Sequence, residues 1–175
     1  MENIVVGLPW KEEREAIPSE YQLSRNHLNS LHHKLRQDQE LLNEHNKIIK
    51  EQLQLGIIKE VKAETDNKFS ETVHYLPHHT VLRRDRETTR VRVVYDGSAK
   101  SPGYKYSLND CLEVGPNLIL QLFDVLVKFR SDPIALTADI EKAFLMVSMN
   151  KASKDMLRFL WFKNPSKITP EVIQL

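Results

Sequence analysis

Apolar residues recur at helical spacing between residues 24 and 55, and neither proline nor glycine interrupts them. A repeat of three to four residues predicts an amphipathic helix that packs one face on a core. Asp38 falls on the apolar stripe, so we expect two helices that divide near this residue. Ser24 is the predicted N-cap of the first helix and Gly56 the predicted C-cap of the second. The stripe consists of Leu28, Leu31, Leu35, Leu42 and Ile49, flanked by Leu41, Ile48 and Leu55.

Two β-leaning segments flank a charged turn and together predict a β-hairpin. The first, residues 74–82, is interrupted by Pro77, and the second, residues 90–96, alternates before it becomes apolar. The tip is basic, because residues 83–92 contain five arginines against one aspartate and one glutamate, a local net charge of +3. Arginine presents a rigid fork of donors that suits phosphate contacts. The alternative is a solvated hairpin tip.

Turn residues after the hairpin predict a loop over residues 97–109 and a second turn at Gly115-Pro116-Asn117. A helix is then expected from about Leu118 to Arg130. Its predicted apolar face comprises Leu118, Leu122, Val125, Leu126 and Phe129.

Two apolar runs in the last third of the chain predict buried strands. They are residues 134–136 and residues 156–162. At the other end, residues 1–23 are punctuated by proline and charge, which predicts an extended arm with Trp10 and Tyr21 as possible anchors on a core.

Composition is that of an ordinary globular chain, with 28% charged and 41% hydrophobic residues over 175 positions and a net charge of +1. Any nucleic-acid surface must therefore be local. The single cysteine, Cys111, excludes an internal disulfide and is expected to be a small buried hydrophobe. No apolar run approaches the length of a membrane span, and the N-terminus lacks the pattern of a signal peptide. We therefore expect no membrane partner and an intracellular setting, whether cytoplasmic, nuclear or in a virus-like particle.

Histidines are frequent around the predicted helices and hairpin. His32 and His45 lie near the apolar side of the helices, which favours packed or rim histidines over metal ligands. His74, His78 and His79 could suggest a metal site, but adjacent strand residues point to opposite faces, so a metal site is not expected.

Asp139 follows the apolar run at residues 134–136 by three positions. An unpaired buried carboxylate is costly, whereas one at the open end of a strand can hold a cation such as Mg²⁺. The alternative is an N-cap for the next helical turn, with Glu141 and Lys142 as solvated neighbours. The residues alone leave both interpretations open.

Several short motifs occur in a fixed order along the chain. They are Gly7-Leu8-Pro9-Trp10, Ile57-Ile58, Tyr75-Leu76-Pro77-His78-His79, Arg92-Val93-Val94-Tyr95-Asp96-Gly97-Ser98-Ala99, Ser107-Leu108-Asn109-Asp110-Cys111-Leu112, Gly115-Pro116, Leu136-Thr137-Ala138-Asp139-Ile140-Glu141-Lys142-Ala143-Phe144 and Leu157-Arg158-Phe159-Leu160-Trp161. This ordered set resembles the reverse transcriptase of BEL/Pao-type LTR retrotransposons and covers nearly the whole chain. Each motif alone is weak, but the ordered set is specific.

The resemblance implies an α+β fold made of the fingers and a partial palm of a polymerase. Residues 1–23 would form the extended arm and residues 24–105 the fingers, with the helical segment and the basic hairpin. Residues 106–149 would form the partial palm, and residues 150–175 would return to the fingers. The chain would be truncated before the Tyr-x-Asp-Asp motif of the family.

The same resemblance implies the chemistry of RNA-directed DNA synthesis. Asp139 would be the first catalytic aspartate and would bridge two Mg²⁺ ions, while the backbone carbonyl of Ile140 would bind the nucleotide-side ion. Phe144 would lie under the sugar and favour deoxynucleotides. Backbone N–H groups of Ala143 and Phe144 could bind the nucleotide.

In the hairpin, the resemblance makes Arg92 the first choice for a triphosphate contact, with Arg83 or Arg84 second. Arg86 and Arg90 are the candidates for contacts to nucleic acid. The implied partners are an RNA or DNA primer–template, deoxynucleotides and the remainder of a polyprotein.

The departures from the family decide what this chain is expected to do. The palm requires two further aspartates, normally adjacent, and no Asp-Asp pair occurs in this sequence. The segment that supports the templating base pair and the ribonuclease H and integrase portions are also missing, so we expect that this chain alone does not polymerise DNA. Two alternatives stay open: a non-catalytic nucleic-acid-binding remnant, and a helical interaction protein built on residues 24–55.

Overall fold

The computed structural model describes residues 4–61, 73–82, 91–131, 133–138, 143–166 and 172–174, and combines helices with small sheets. The α+β expectation is confirmed in this general form. The helices are α1 (Tyr21–Leu35), α2 (Gln39–Gln54), α3 (Leu122–Ser131) and α4 (Lys151–Lys154). The strands are β1 (Val5–Val6), β2 (His78–Leu82), β3 (Val91–Tyr95), β4 (Ser148–Met149), β5 (Leu160–Phe162) and β6 (Val172–Gln174). Short 3₁₀ turns cover Asn109–Cys111, Ala143–Met146 and Asp155–Leu157.

The predicted division of the helical segment is confirmed, and Asp38 produces it. This residue leaves the helical conformation and caps α2, because its Oδ1 accepts the Leu41 backbone N–H at 3.0 Å. At the other end, Gly56 follows α2 in the left-handed region, with φ 70°, where a side chain would be strained.

Ser24 is not the N-cap that the sequence predicts. Helix α1 begins at Tyr21, and its N-cap is Glu20, which adopts the left-handed conformation with φ 54°. Ser24 lies buried inside the first turns, where its hydroxyl donates a 2.8 Å hydrogen bond to the carbonyl of Tyr75. A distant backbone acceptor therefore uses the hydroxyl that local capping rules assign to the helix start.

The sheets among the described residues are all two-stranded. Strands β2 and β3 form the predicted antiparallel hairpin, β5 pairs antiparallel with β6, and β1 pairs parallel with β4. The last pairing returns the N-terminal arm to the segment just before α4. An isolated parallel bridge between Tyr75 and Arg158 joins the approach to β2 with the approach to β5.

The larger core lies where α1 and α2 pack on the hairpin and β5. Trp161 and Tyr75 are its largest fully buried side chains. The two helices bury their apolar stripe in this core, so the stripe is not a free surface for an external coiled-coil partner. The core residues are Leu28, Leu31, Leu35, Leu42, Ile49, Val73, Tyr75, Phe159, Leu160, Trp161 and Phe162.

The N-terminal arm packs against a second, smaller hydrophobic core. Trp10 packs against it as predicted, bridged to Leu112, whereas Tyr21 opens α1 and packs on the larger core. Cys111 is buried here as the small hydrophobe that we expected. The buried members are Ile17, Leu76, Leu108, Cys111 and Met156.

In the segment from residue 113 to residue 138 the predicted helix is present with a later start, whereas the predicted strand is absent. Residues 134–136 form no strand, and Ile134 and Leu136 are 77% and 88% exposed. A strand needs a neighbour to pair its backbone groups, and no described strand lies beside this run. Helix α3 begins at Leu122 instead of Leu118, and none of its residues, all of which are described, is buried.

Among the residues that the structure describes, no helix combines the length and apolar character needed to cross a bilayer.

Removing the α2 cap tests this account of the helical segment. Asp38→Ala deletes the oxygen that accepts the Leu41 N–H, so the free energy of unfolding is expected to fall by about 1 kcal/mol. Asp38→Ser keeps a capping oxygen and should lose far less. Urea denaturation followed by far-UV circular dichroism measures both. Equal stability of the two variants would contradict a capping role.

Candidate nucleic-acid interface

The β2–β3 hairpin has two chemically different faces. The register pairs His78 with Tyr95 and Val81 with Arg92. Because side chains alternate along a strand, these two pairs lie on opposite faces. His78 and Tyr95 belong to the inner face, which packs on α2 and β5. The outer face carries Arg92, which is exposed.

Arg92 is thus the one predicted arginine of the hairpin that falls on described residues, and it points away from the core. Its neighbours on the outer face include His79 and Val94, both of which are exposed. The other predicted contacts of the hairpin, Arg83, Arg84, Arg86 and Arg90, lie outside the described residues.

The inner face of the hairpin is built around two buried histidines. The His45 ring of α2 stacks on Trp161, with ring centroids 4.5 Å apart and an interplanar angle of 23°. The His78 ring lies 5.5 Å from His45 and 5.7 Å from Trp161. His45 Nδ1 is 2.7 Å from the hydroxyl of Thr80, two residues along β2 from His78.

Burial keeps both imidazoles neutral. Desolvation lowers the pKa of His45 from 6.5 to about 4. It also lowers the pKa of His78 to about 3, and repulsion from His45 and His79 acts in the same direction. Desolvation raises the pKa of the Tyr95 hydroxyl. The inner face is therefore uncharged at neutral pH, whereas the outer face carries the Arg92 guanidinium.

The first part of the loop after β3 is held by polar contacts at two points. Asp96 Oδ1 accepts the backbone N–H of Ser98 at 2.9 Å and also its hydroxyl, and these bonds lower the pKa of the Asp96 carboxyl. Further along, the buried Glu20 carboxylate accepts the backbone N–H of Ser101 at 2.8 Å and the Ser101 hydroxyl. Asp96 and Glu20 thus both help to hold the conformation of this loop.

Gly97 lies in close contact with Asn109. A Cβ at this position would lie 2.5 Å from Asn109 Oδ1, while the Gly97 carbonyl accepts the Asn109 N–H at 2.9 Å. The start of the loop after β3 and the 3₁₀ turn Asn109–Cys111 are therefore in direct contact.

The predicted catalytic and metal-binding positions cannot be placed in this arrangement. Asp139 and Ile140 lie outside the described residues. Ala143 and Phe144 belong to the 3₁₀ turn Ala143–Met146, where Ala143 is half-buried and the Phe144 side chain lies outside what is described. In the described part of the chain, no three His, Cys, Asp or Glu side chains are grouped to hold a metal ion.

Helix α3 and the residues on either side of it expose many apolar side chains. The side chains of α3 and of its flanking residues are largely exposed, with Phe123 at 75%. Monomeric proteins rarely leave so many large apolar side chains in water. The residues are Val114, Leu118, Ile119, Leu120, Leu122, Phe123, Val125, Leu126, Val127, Phe129, Ile134 and Leu136.

Sequence reasoning missed two buried charged residues that organise the fold. Glu20 connects the start of α1 to the loop after the hairpin. The backbone of Arg158 forms the bridge to Tyr75, and its side chain forms a 2.7 Å ion pair with Asp155. A signal existed for Arg158, since a lone arginine inside the apolar run 156–162 must find a partner when buried. Nothing in the local sequence marks Glu20.

No protein-family model matches the chain, and no curated protein or solved structure is detectably similar to it.

The buried histidines predict a loss of stability in mild acid. The pKa of each histidine is lowered in the folded state, so below pH 6.5 the unfolded chain binds more protons than the folded chain does. The free energy of unfolding therefore decreases as the pH is lowered. At pH 5 the cost is about 2 kcal/mol for each histidine. The pKa of His74 is also lowered by burial, which adds to the trend. Urea denaturation at pH 7, 6 and 5 measures the slope.

Two variants test whether the buried histidines cause the pH dependence of the free energy of unfolding. His78→Gln should reduce overall stability but make the pH dependence shallower. His27→Gln, at an exposed position of α1, should leave the dependence as it is. An unfolding free energy of the unmodified chain that stays constant from pH 7 to pH 5 would contradict the prediction.

Proposed function

We propose that this chain is the fingers and partial palm of an RNA-directed DNA polymerase of the BEL/Pao retrotransposon type. In this proposal the chain binds nucleic acid through the outer face of the hairpin and does not polymerise DNA by itself. The proposal rests first on the ordered motifs of the sequence. Its main structural support is the placement of Arg92 on the exposed face of a hairpin whose other face is buried.

The electrostatics of the hairpin agree with a phosphate-binding role. A guanidinium binds phosphate through charge-assisted, bidentate hydrogen bonds, and an exposed one is available without displacing a protein partner. Residues 83–92 carry a local net charge of +3 while the whole chain carries +1. Positive charge is therefore concentrated on the element that would face the nucleic acid.

The apolar surface of α3 supports the palm assignment. In the palm that we propose, α3 would pack against strands from beyond the first catalytic aspartate. The intact enzyme that we propose would cover residues such as Leu122 and Phe123 with those strands. Burial there would remove the apolar exposure described above.

The residues that would hold magnesium are Asp139 and the carbonyl of Ile140. Both offer the hard oxygen atoms that Mg²⁺ prefers. Two bound ions would stabilise the attacking and leaving oxygens of an in-line phosphoryl transfer. The family's set is incomplete in this chain, because the sequence lacks the Asp-Asp pair that would supply the other carboxylates. Binding of nucleic acid needs none of these ligands.

A binding assay tests the interface. The chain should bind an RNA–DNA primer–template duplex with an affinity that falls as salt rises. Arg92→Gln should weaken binding and reduce the slope of log affinity against log salt by about one, because one phosphate contact is lost. Fluorescence anisotropy over a salt series measures both quantities.

The matched control is Arg36→Gln, which removes an exposed arginine in the turn between α1 and α2. It should leave the affinity close to that of the unmodified chain. Absence of binding at low salt, or equal weakening by the two substitutions, would count against the hairpin as the interface.

A primer-extension assay tests the catalytic half of the proposal. With Mg²⁺, primer–template and deoxynucleotides, the chain alone should add no nucleotide, because one of the family's three carboxylates cannot hold two ions. The assay resolves single-nucleotide additions on a denaturing gel. Incorporation that Asp139→Ala abolishes would overturn the prediction of inactivity.

A further inference from the structure

Three buried polar atoms beneath the hairpin have no hydrogen-bond partner among the described residues. They are His45 Nε2, His78 Nε2 and the Tyr95 hydroxyl. The His78 ring is close to both of the other rings, with its centroid 5.5 Å from that of His45 and 6.0 Å from that of Tyr95. A buried polar atom without a partner loses its hydration and gains nothing in return. Three such atoms in one cluster indicate a shared partner.

We propose that His45, His78 and Tyr95 enclose an internal water site beneath the β2–β3 hairpin. An internal water typically makes about three hydrogen bonds to buried polar groups that otherwise lack partners. Here the Tyr95 hydroxyl donates to a water oxygen, and the two water hydrogens are donated to His45 Nε2 and His78 Nε2. The three atoms that lack partners are then all hydrogen-bonded, with both imidazoles neutral.

The contact between His45 and Thr80 fits this arrangement. His45 Nδ1 lies 2.7 Å from the Thr80 hydroxyl oxygen. If Nδ1 carries the proton and donates it to Thr80, Nε2 keeps a free lone pair for the water. The proposal therefore assigns the Nδ1–H tautomer to His45, and also to His78, whose Nε2 accepts from the same site.

Water suits this donor set better than a metal ion does. Divalent cations are held by carboxylates, thiolates or several imidazoles, and no described group of three such side chains exists. A tyrosine hydroxyl binds a cation well only when ionised, whereas burial here raises the pKa of Tyr95.

The site joins three separate elements, since His45 belongs to α2, His78 to β2 and Tyr95 to β3. Tyr95 also packs against both hydrophobic cores. A water in this position holds the inner face of the hairpin to α2 through hydrogen bonds. The inference concerns the fold alone, so it stands whether or not the outer face binds nucleic acid.

The sign of one substitution separates a hydrated site from a dry one. Tyr95→Phe removes the hydroxyl and keeps the ring. If the hydroxyl donates to water, the equilibrium constant for unfolding should rise about two- to tenfold. If the site is dry, the substitution deletes an unsatisfied group and should leave that constant unchanged or lower it, which would overturn the proposal. Tyr104→Phe, at an exposed tyrosine, is the control and should change nothing.

Nuclear magnetic resonance of the ¹⁵N-labelled chain tests the assignment directly. Long-range ¹H–¹⁵N correlation at pH 7 should report Nδ1–H tautomers for His45 and His78, and their ring protons should show cross-relaxation with water. Nε2–H tautomers, or no cross-relaxation, would contradict the arrangement.

Titration with Zn²⁺ tests whether the site binds a cation instead of water. A melting temperature that Zn²⁺ raises in the unmodified chain but not in His78→Gln would assign the site to a cation instead.

Discussion

The stacking of His45 on Trp161 beneath the hairpin ties the main elements of this fold to one another. Trp161 comes from β5, and its indole N–H donates to Asn46 of α2 at 3.1 Å. His78 packs against the same indole from β2. Two imidazoles in such a place must be neutral, because a charged one would lose its hydration without gaining a counter-ion. The position of the hairpin therefore depends on an uncharged, closely packed interior.

This burial also fixes which side chains the hairpin shows to solvent. A shift of one residue in one strand would exchange the faces of that strand. In β2 it would expose His78, and in β3 it would expose Tyr95 and bury Arg92. Because the inner face is specified by packing, the outer position of Arg92 is a consequence of the core. Nucleic-acid binding at the outer face, as proposed, would thus depend on residues that never touch the ligand.

Periodicity predicted those parts of the fold that depend on neighbouring residues in sequence. The division of the helical segment at Asp38, the hairpin and the buried position of Cys111 all followed from local patterns. The failures involve distant partners. Ser24 was assigned to a helix cap because capping is local, whereas its real acceptor is the Tyr75 carbonyl. Glu20 carries no local signal, since its role depends on Ser101, which is remote in sequence.

The candidate site was predictable only in part, for the same reason. Alternation along β3 implies that Arg92 and Tyr95 face opposite ways, but only the register with β2 shows which face is buried. The apolar run at residues 134–136 predicted a buried strand, but these residues are exposed and form none. Apolar side chains favour burial, and a strand also needs a neighbour that can pair its backbone.

Binding and catalysis place different demands on such a chain, and this separates the two halves of the proposed function. A phosphate contact needs an exposed guanidinium on a well-held element, and Arg92 of the hairpin has this placement. Phosphoryl transfer by two metal ions needs several carboxylates brought together within a few ångströms. One segment can carry the first property alone, whereas the second requires strands from different parts of a palm. Loss of the other aspartates would therefore abolish polymerisation while leaving the hairpin's binding chemistry unchanged.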